Sequence, residues 1–184
     1  GVFAGLVTTA ETESELAAVL AHEIAHISQR HLLRSLEDQQ QLAVPATLLM
    51  IAAAILGAQV DVNAGAAAIA GLQGLAIQRR INFTRHNEEE ADRIGIATLA
   101  KAGFDPFGSP RFLTSMSRLA AWKNGLPEDD TGSIDFLSSH PSTPERLAQA
   151  QEVAKATGVT DGEVDRDGYL SRIDGIMYGD DPNE

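Results

Sequence analysis

The chain has 184 residues, 14 Lys and Arg against 26 Asp and Glu, a formal net charge of −12, and no cysteine. That length suits one domain able to bury about 70% of the surface its unfolded form exposes, so a full core is expected without disulfides. The absence of cysteine excludes thiolate nucleophiles, CxxC redox pairs and cysteine-based zinc sites, leaving His, Asp and Glu to hold any metal, and the acidic balance argues against a nucleic-acid partner.

The start, "GVFAGLVTTAETESE", has no Met, no basic region and too short an apolar run for a signal peptide, so it reads as a chain lacking an upstream portion. Residues 2–9, "VFAGLVTT", are β-branched and apolar, which predicts one strand. Thr12 followed by Glu15 is a capping box, and Leu16, Val19, Leu20, Ile24 and Ile27 recur at helical spacing, predicting a helix as far as about Leu36. Between Asp38 and Asp61 lie 22 residues without a charge, long enough to raise the question of a membrane span. Pro45, three leading glutamines, no flanking Lys or Arg and a high share of Ala and Gly favour instead a helical hairpin, residues 42–57 and 64–78 around a turn at "VDVNAG".

"HNEEEADRIGIATLAKAGF" predicts an amphipathic helix that begins in acidic residues and stops at Gly103, with "FDPFGSP" as loop. Residues 109–123 predict another helix, which carries the single Trp, and "KNGLPEDDTGS" a polar loop. A short loop holding His140 leads into a helix from Thr143 or Pro144, with Pro and Glu suited to its first turn. The tail from Thr160 carries half of the net charge. A core domain over 1–158 is expected, its N-terminal part missing, followed by 159–184 as an acidic linker or the start of another segment.

Chemistry concentrates in "HEIAH", residues 22–26. Four residues apart on a helix, His22 and His26 share a face and can offer imidazoles to one ion. Glu23 sits about 100° round from His22, beside the metal, where it can take a proton from water. At this composition chance supplies such a motif about once in a hundred chains. A catalytic zinc needs a third protein ligand. The metzincin position for it is Leu32, and His31, about 140° round from His26, is read as solvent-facing or as core filler. A carboxylate from a second helix is the other solution, and "NEEEAD" offers Glu88 as ligand with Asp92 one turn on as the acceptor that orients a ligand histidine. A solvated helix start fits Glu89 and Glu90 better than Glu88. Residues 163–174 resemble a calcium loop in Asp165, Asp167 and Gly168, but Glu163 and Asp174 stand at its two ends in place of the usual Asp and Glu.

Three segments, "ELAAVLAHEIAHISQRHLLRSLEDQQ", "NEEEADRIGIATLAKAGFDP" and "SSHPSTPERLAQA", in this order, resemble the zinc metallopeptidases related to HtpX and the CAAX prenyl protease, most closely the periplasmic BepA-like branch of Gram-negative bacteria. The resemblance covers the chain to about residue 158. It implies that His22, His26 and Glu88 bind one Zn2+ per chain, with Glu23 as base and Asp92 as orienting carboxylate. It further implies that His140, in an "HP" loop with Arg146 six residues on, enters the zinc sphere as a fourth ligand on a plug over the cleft.

The expected fold class is α+β, predominantly helical: a zincin-type domain with a small edge sheet and the Ala/Gly-rich hairpin. The strand over 2–9 would align an extended peptide beside the active helix. The expected function is a zinc metalloendopeptidase acting on unfolded or misassembled polypeptides, outer-membrane proteins among them, inhibited by its own His140 plug. Periplasmic location and contact with outer-membrane assembly machinery follow from the resemblance, and residues 42–78 are expected to make peripheral membrane contact. The alternative from another class is a chaperone-like assembly module with a structural zinc site.

Overall fold

The computed structural model describes residues 4–60, 62–123 and 140–174. They form seven helices: α1 (Ala4–Thr9), α2 (Glu13–Ser28), α3 (His31–Val60), α4 (Val62–Lys101), α5 (Gly108–Lys123), α6 (Pro144–Ala156) and α7 (Arg166–Ile173). The chain divides into two compact units, one made of Gly1–Ala25 and Glu89–Glu184, the other of His26–Glu88.

In the first unit, the expected strand over 2–9 is, in its described part, the helix α1. Leu6 and Ala10 lie four apart, one helical repeat, and both are buried in a cluster with Val19, Phe112, Met116 and Tyr169. Burying that stripe outweighs the β propensity of a short apolar run. Nor is there a small edge sheet among the described residues. The β pairing found there is an isolated parallel bridge, Phe104 with Glu163, in which the Asp105 N–H donates to the Glu163 carbonyl and the Glu163 N–H to that of Gly103, each at 2.9 Å. Residues beyond 158, expected as a linker or a following segment, contain α7, whose Tyr169 is 3% exposed and donates its hydroxyl to the Val7 carbonyl at 2.6 Å.

The start of α2 is held by its predicted cap. Thr12 Oγ1 accepts from the Glu15 N–H at 3.2 Å, while the Glu15 carboxylate reaches the N–H of Glu11 rather than that of Thr12. A second cluster joins Ile96 of α4 and Leu113 of α5 to Ala150 and Ala154 of α6, and a third packs Ala18 and Ala21 of α2 on Leu99. Gly95 sets the distance of this packing. A Cβ there would stand 3.1 Å from both Cα and N of His22, so any larger residue would push α4 a few tenths of an ångström away from α2.

The second unit is a helical hairpin formed by α3 and the first part of α4. The helix expected to run from α2 to Leu36 is broken: Arg30 has φ 54°, and α3 starts afresh at His31. No Gly or Pro marks this break in the sequence, and a left-handed Arg costs about 1–2 kcal/mol, which the surrounding contacts must offset. In the other direction, the gaps expected between about Leu36 and residue 42 and between residue 78 and "HNEEE" do not exist, because α3 runs unbroken from His31 to Val60 and α4 is one helix of 40 residues. Glu88 and Asp92 are therefore mid-helix and not at a helix start.

Near the hairpin tip the two backbones touch. A Cβ on Gly57 would lie 2.3 Å from the Gly65 Cα, the close approach that small residues permit. At the other end Arg79 pairs with Asp38 at 2.7 Å. Leu48, Leu49, Ile51 and Ile55 point outward and are each more than half exposed. No helix among the described residues is long and apolar enough to cross a membrane. Most of the loop expected in "KNGLPEDDTGS", the centre of the hairpin turn at Asp61, and residues 175–184 fall outside the described residues.

Candidate metal centre

The first unit gathers His22 and Glu23 from α2, Asp92 from α4, His140 from the segment leading into α6, and Arg146 from the first turn of α6. His22 Nδ1 lies 2.9 Å from Asp92 Oδ1. Arg146 grips the same carboxylate with two bonds, Nε to Oδ2 at 2.5 Å and Nη2 to Oδ1 at 2.9 Å. All three side chains are buried. Burial by itself pushes the Asp92 carboxyl upward, but the hydrogen bonds and charges of Arg146 and His22 outweigh it, so the group sits below the ordinary carboxylate range.

Local sequence sets Arg146 in place. Thr143 caps α6 by accepting from the Arg146 N–H at 3.2 Å, and Ser142 donates to the Leu113 carbonyl at 3.0 Å, tying the loop to α5. Arg146 Nη1 in turn donates to the Pro141 carbonyl at 3.3 Å, beside His140. His140 Nδ1 stands 3.4 Å from His22 Nε2, the rings edge to face, and its Nε2 stands 3.5 Å from Glu23 Oε1. A small pocket here has Val19, Phe112, Leu113 and Met116 on its apolar side and His22, Asp92, His140 and Arg146 on its polar side.

In the second unit His26 Nε2 lies 3.3 Å from Glu88 Oε1. Glu88 is 5% exposed, although Glu89 beside it faces solvent. On its other nitrogen His26 meets a residue that spacing had set aside: His31 Nδ1 stands 2.8 Å from His26 Nδ1. The break at Arg30 reverses the 140° offset of a continuous helix, and nothing in "SQRH" announces it.

Donor separations carry chemical information. Ligand atoms about 2.0–2.1 Å from a tetrahedral zinc stand about 3.3 Å from one another. The 3.4 Å between His22 Nε2 and His140 Nδ1, and the 3.3 Å between His26 Nε2 and Glu88 Oε1, are compatible with that edge length, although Arg146 Nη2 also stands 3.4 Å from His22 Nε2. The donor set, imidazoles with a carboxylate, suits zinc. By contrast, the calcium-like loop has its key acid in use: Asp165 caps α7 by accepting from the Gly168 N–H, and Arg172 bridges it to Glu13.

The profile of peptidase family M48 matches residues 1–154. The chain belongs to this family. The M48 domain is 39% identical over 175 residues to the beta-barrel assembly-enhancing protease of Escherichia coli K12, covering 95% of this chain and 34% of that protein. It is 38% identical over 174 residues to the protein of the same name in Yersinia pestis, covering 94% and 34%. It is 30% identical over 158 residues to the mitochondrial metalloendopeptidase OMA1 of Arabidopsis thaliana, covering 84% and 28%. The chain thus spans about a third of the length of these relatives.

Replacing Asp92 by Ala leaves the Arg146 guanidinium buried without its counter-ion, a loss of about 3–5 kcal/mol. Chemical denaturation of the metal-free protein should show that loss, and a midpoint within error of the unsubstituted chain would refute the role given to this pair.

Proposed function

We propose that the M48 domain is a zinc-dependent endopeptidase in which His22, His26 and Glu88 hold the metal. These three and His140 can each offer one ligand atom. The observation that carries the reading is a match of side chains one turn apart: on α2 and α4, Asp92 stands at Nδ1 of His22 and Glu88 at Nε2 of His26, whose Nδ1 is held by His31. Zinc, when bound, supplies a Lewis acid that acidifies water and polarises the scissile carbonyl. Glu23 takes the proton of the attacking water and delivers it to the leaving amine. Its side chain is 42% exposed, with Oε1 turned inward toward His140 Nε2 at 3.5 Å. Asp92 fixes the ring of His22, and Arg146 fixes Asp92.

His140 lies against both His22 and Glu23, in the space that water and a peptide carbonyl would use. In this state the domain is at rest, and hydrolysis requires the "HP" loop to withdraw. The same proximity favours the second reading, an assembly module whose zinc is structural and permanently four-coordinate.

The names of the Escherichia coli and Yersinia relatives speak of enhancing beta-barrel assembly. By that likeness the clients proposed here are outer-membrane polypeptides and the setting the periplasm. The hairpin would make peripheral contact with the membrane. Its backbones pack through glycines while its large apolar side chains face outward, the reverse of a water-soluble helix pair. Beyond Gln78, Arg80 and Arg85 stand exposed, suited to lipid phosphates, while Arg79 is engaged with Asp38.

Glu23→Gln should abolish cleavage of casein while zinc content stays near one per chain, and full activity in that variant would refute the base. His140→Ala should raise activity at unchanged zinc content. Activity that stays absent, with zinc retained, would favour the structural reading. The triple change Leu48→Ser, Ile51→Ser and Ile55→Ser should weaken sedimentation with phosphatidylglycerol-containing vesicles at least tenfold without altering casein cleavage, and binding that survives it would remove the hairpin as the contact.

A further inference from the structure

On the reading that His26 binds zinc, we propose that His31 is its positioning residue, fixing which nitrogen of His26 faces the metal. The two rings meet edge to face, centroids 4.7 Å apart at 83°, with Nδ1 to Nδ1 at 2.8 Å, and His31 is 4% exposed. So short a contact between two imidazole nitrogens requires one proton between them: two protons would collide, and two lone pairs would repel.

Only one assignment of that proton agrees with the other side of the ring. His26 Nε2 faces Glu88 Oε1 at 3.3 Å, and a metal-binding Nε2 must present its lone pair. A neutral imidazole with a bare Nε2 carries its hydrogen on Nδ1. His26 is therefore the donor, and His31 accepts through a bare Nδ1, its own hydrogen on Nε2. His22 receives the same service from Asp92, which stands 2.9 Å from its Nδ1. The two histidines of the motif are thus oriented by different chemistry, one by a carboxylate pinned under Arg146, the other by a neutral ring.

The backbone shows how this contact is obtained. On an uninterrupted helix, position 31 would lie about 140° round from position 26 and could not touch it. Arg30, at φ 54°, ends one helix and lets His31 open the next. Non-glycine residues in the left-handed region persist where neighbouring structure holds them, and such positions gather at functional sites. The strained residue is adjacent to the one it delivers.

The test compares His31→Ala and His31→Gln with the unsubstituted chain. Zinc affinity is read by competition with a chromophoric chelator, fold by circular dichroism of the metal-free proteins, and tautomer by 15N shifts of the imidazoles. Losing such a contact typically costs 10–100-fold in metal affinity. His31→Ala is expected to weaken zinc binding by about that factor, and His31→Gln, whose side-chain carbonyl can accept the same bond, to recover most of it. In the unsubstituted protein, His26 is expected to carry hydrogen on Nδ1 and His31 on Nε2. Unchanged affinity in a folded His31→Ala variant, or the reverse tautomers, would overturn the inference while leaving the zinc site standing. Should His31→Ala not fold, the tautomers and the His31→Gln affinity still decide. No zinc binding by the unsubstituted chain would overturn the metal reading and this inference together.

Discussion

A carboxylate enclosed between an arginine and a histidine organises the first unit. Asp92 is 6% exposed, and an unpaired charge at that depth would be expelled or neutralised. Two bonds from Arg146 and the contact with His22 keep it ionised. Because the three residues come from α4, α6 and α2, satisfying one buried charge joins three helices. Their spacing also depends on Gly95, which lets α4 approach the backbone of His22 itself. The arrangement then passes order outward: the cap at Thr143 aims Arg146, and Arg146 in turn holds the Pro141 carbonyl and so the loop bearing His140.

The two units differ in what stabilises them. The first buries Leu6, Val19, Phe112, Met116 and Tyr169 together and encloses its charges in pairs. The second has thin helices of small residues, meeting through Gly57 and Gly65 and leaving Leu48, Ile51 and Ile55 to the outside. A hairpin built this way gains little from apolar burial in water, since its large side chains remain exposed. It is suited to a partner or a lipid surface that would cover them.

How much of this was legible beforehand depended on the range of the signals. The helices α5 and α6 were readable to within a residue or so, since caps and punctuation such as Thr143, Pro144 and Gly103 act locally. The helix α1 was misread because an eight-residue, mostly apolar run has no period long enough to separate strand from helix, and burial against α5 decided the matter. The break at Arg30 defied the same local rules, a tertiary outcome imposed on a residue whose own preference points the other way.

The sequence by itself determined which residues are the candidates for the site. The intervals in "HEIAH" and "NEEEAD" make His22 with His26, and Glu88 with Asp92, share helix faces in any fold that keeps those helices, because the period of the α-helix is invariant. Family membership rests on a match over residues 1–154. What only the tertiary structure decided is what each of those side chains rests against: Arg146 on Asp92, His140 on His22 and Glu23, and His31 on His26. The first two bring together residues 50 or more positions apart. The last lies only five residues away, yet it hinges on one left-handed backbone angle that no neighbouring residue type requires.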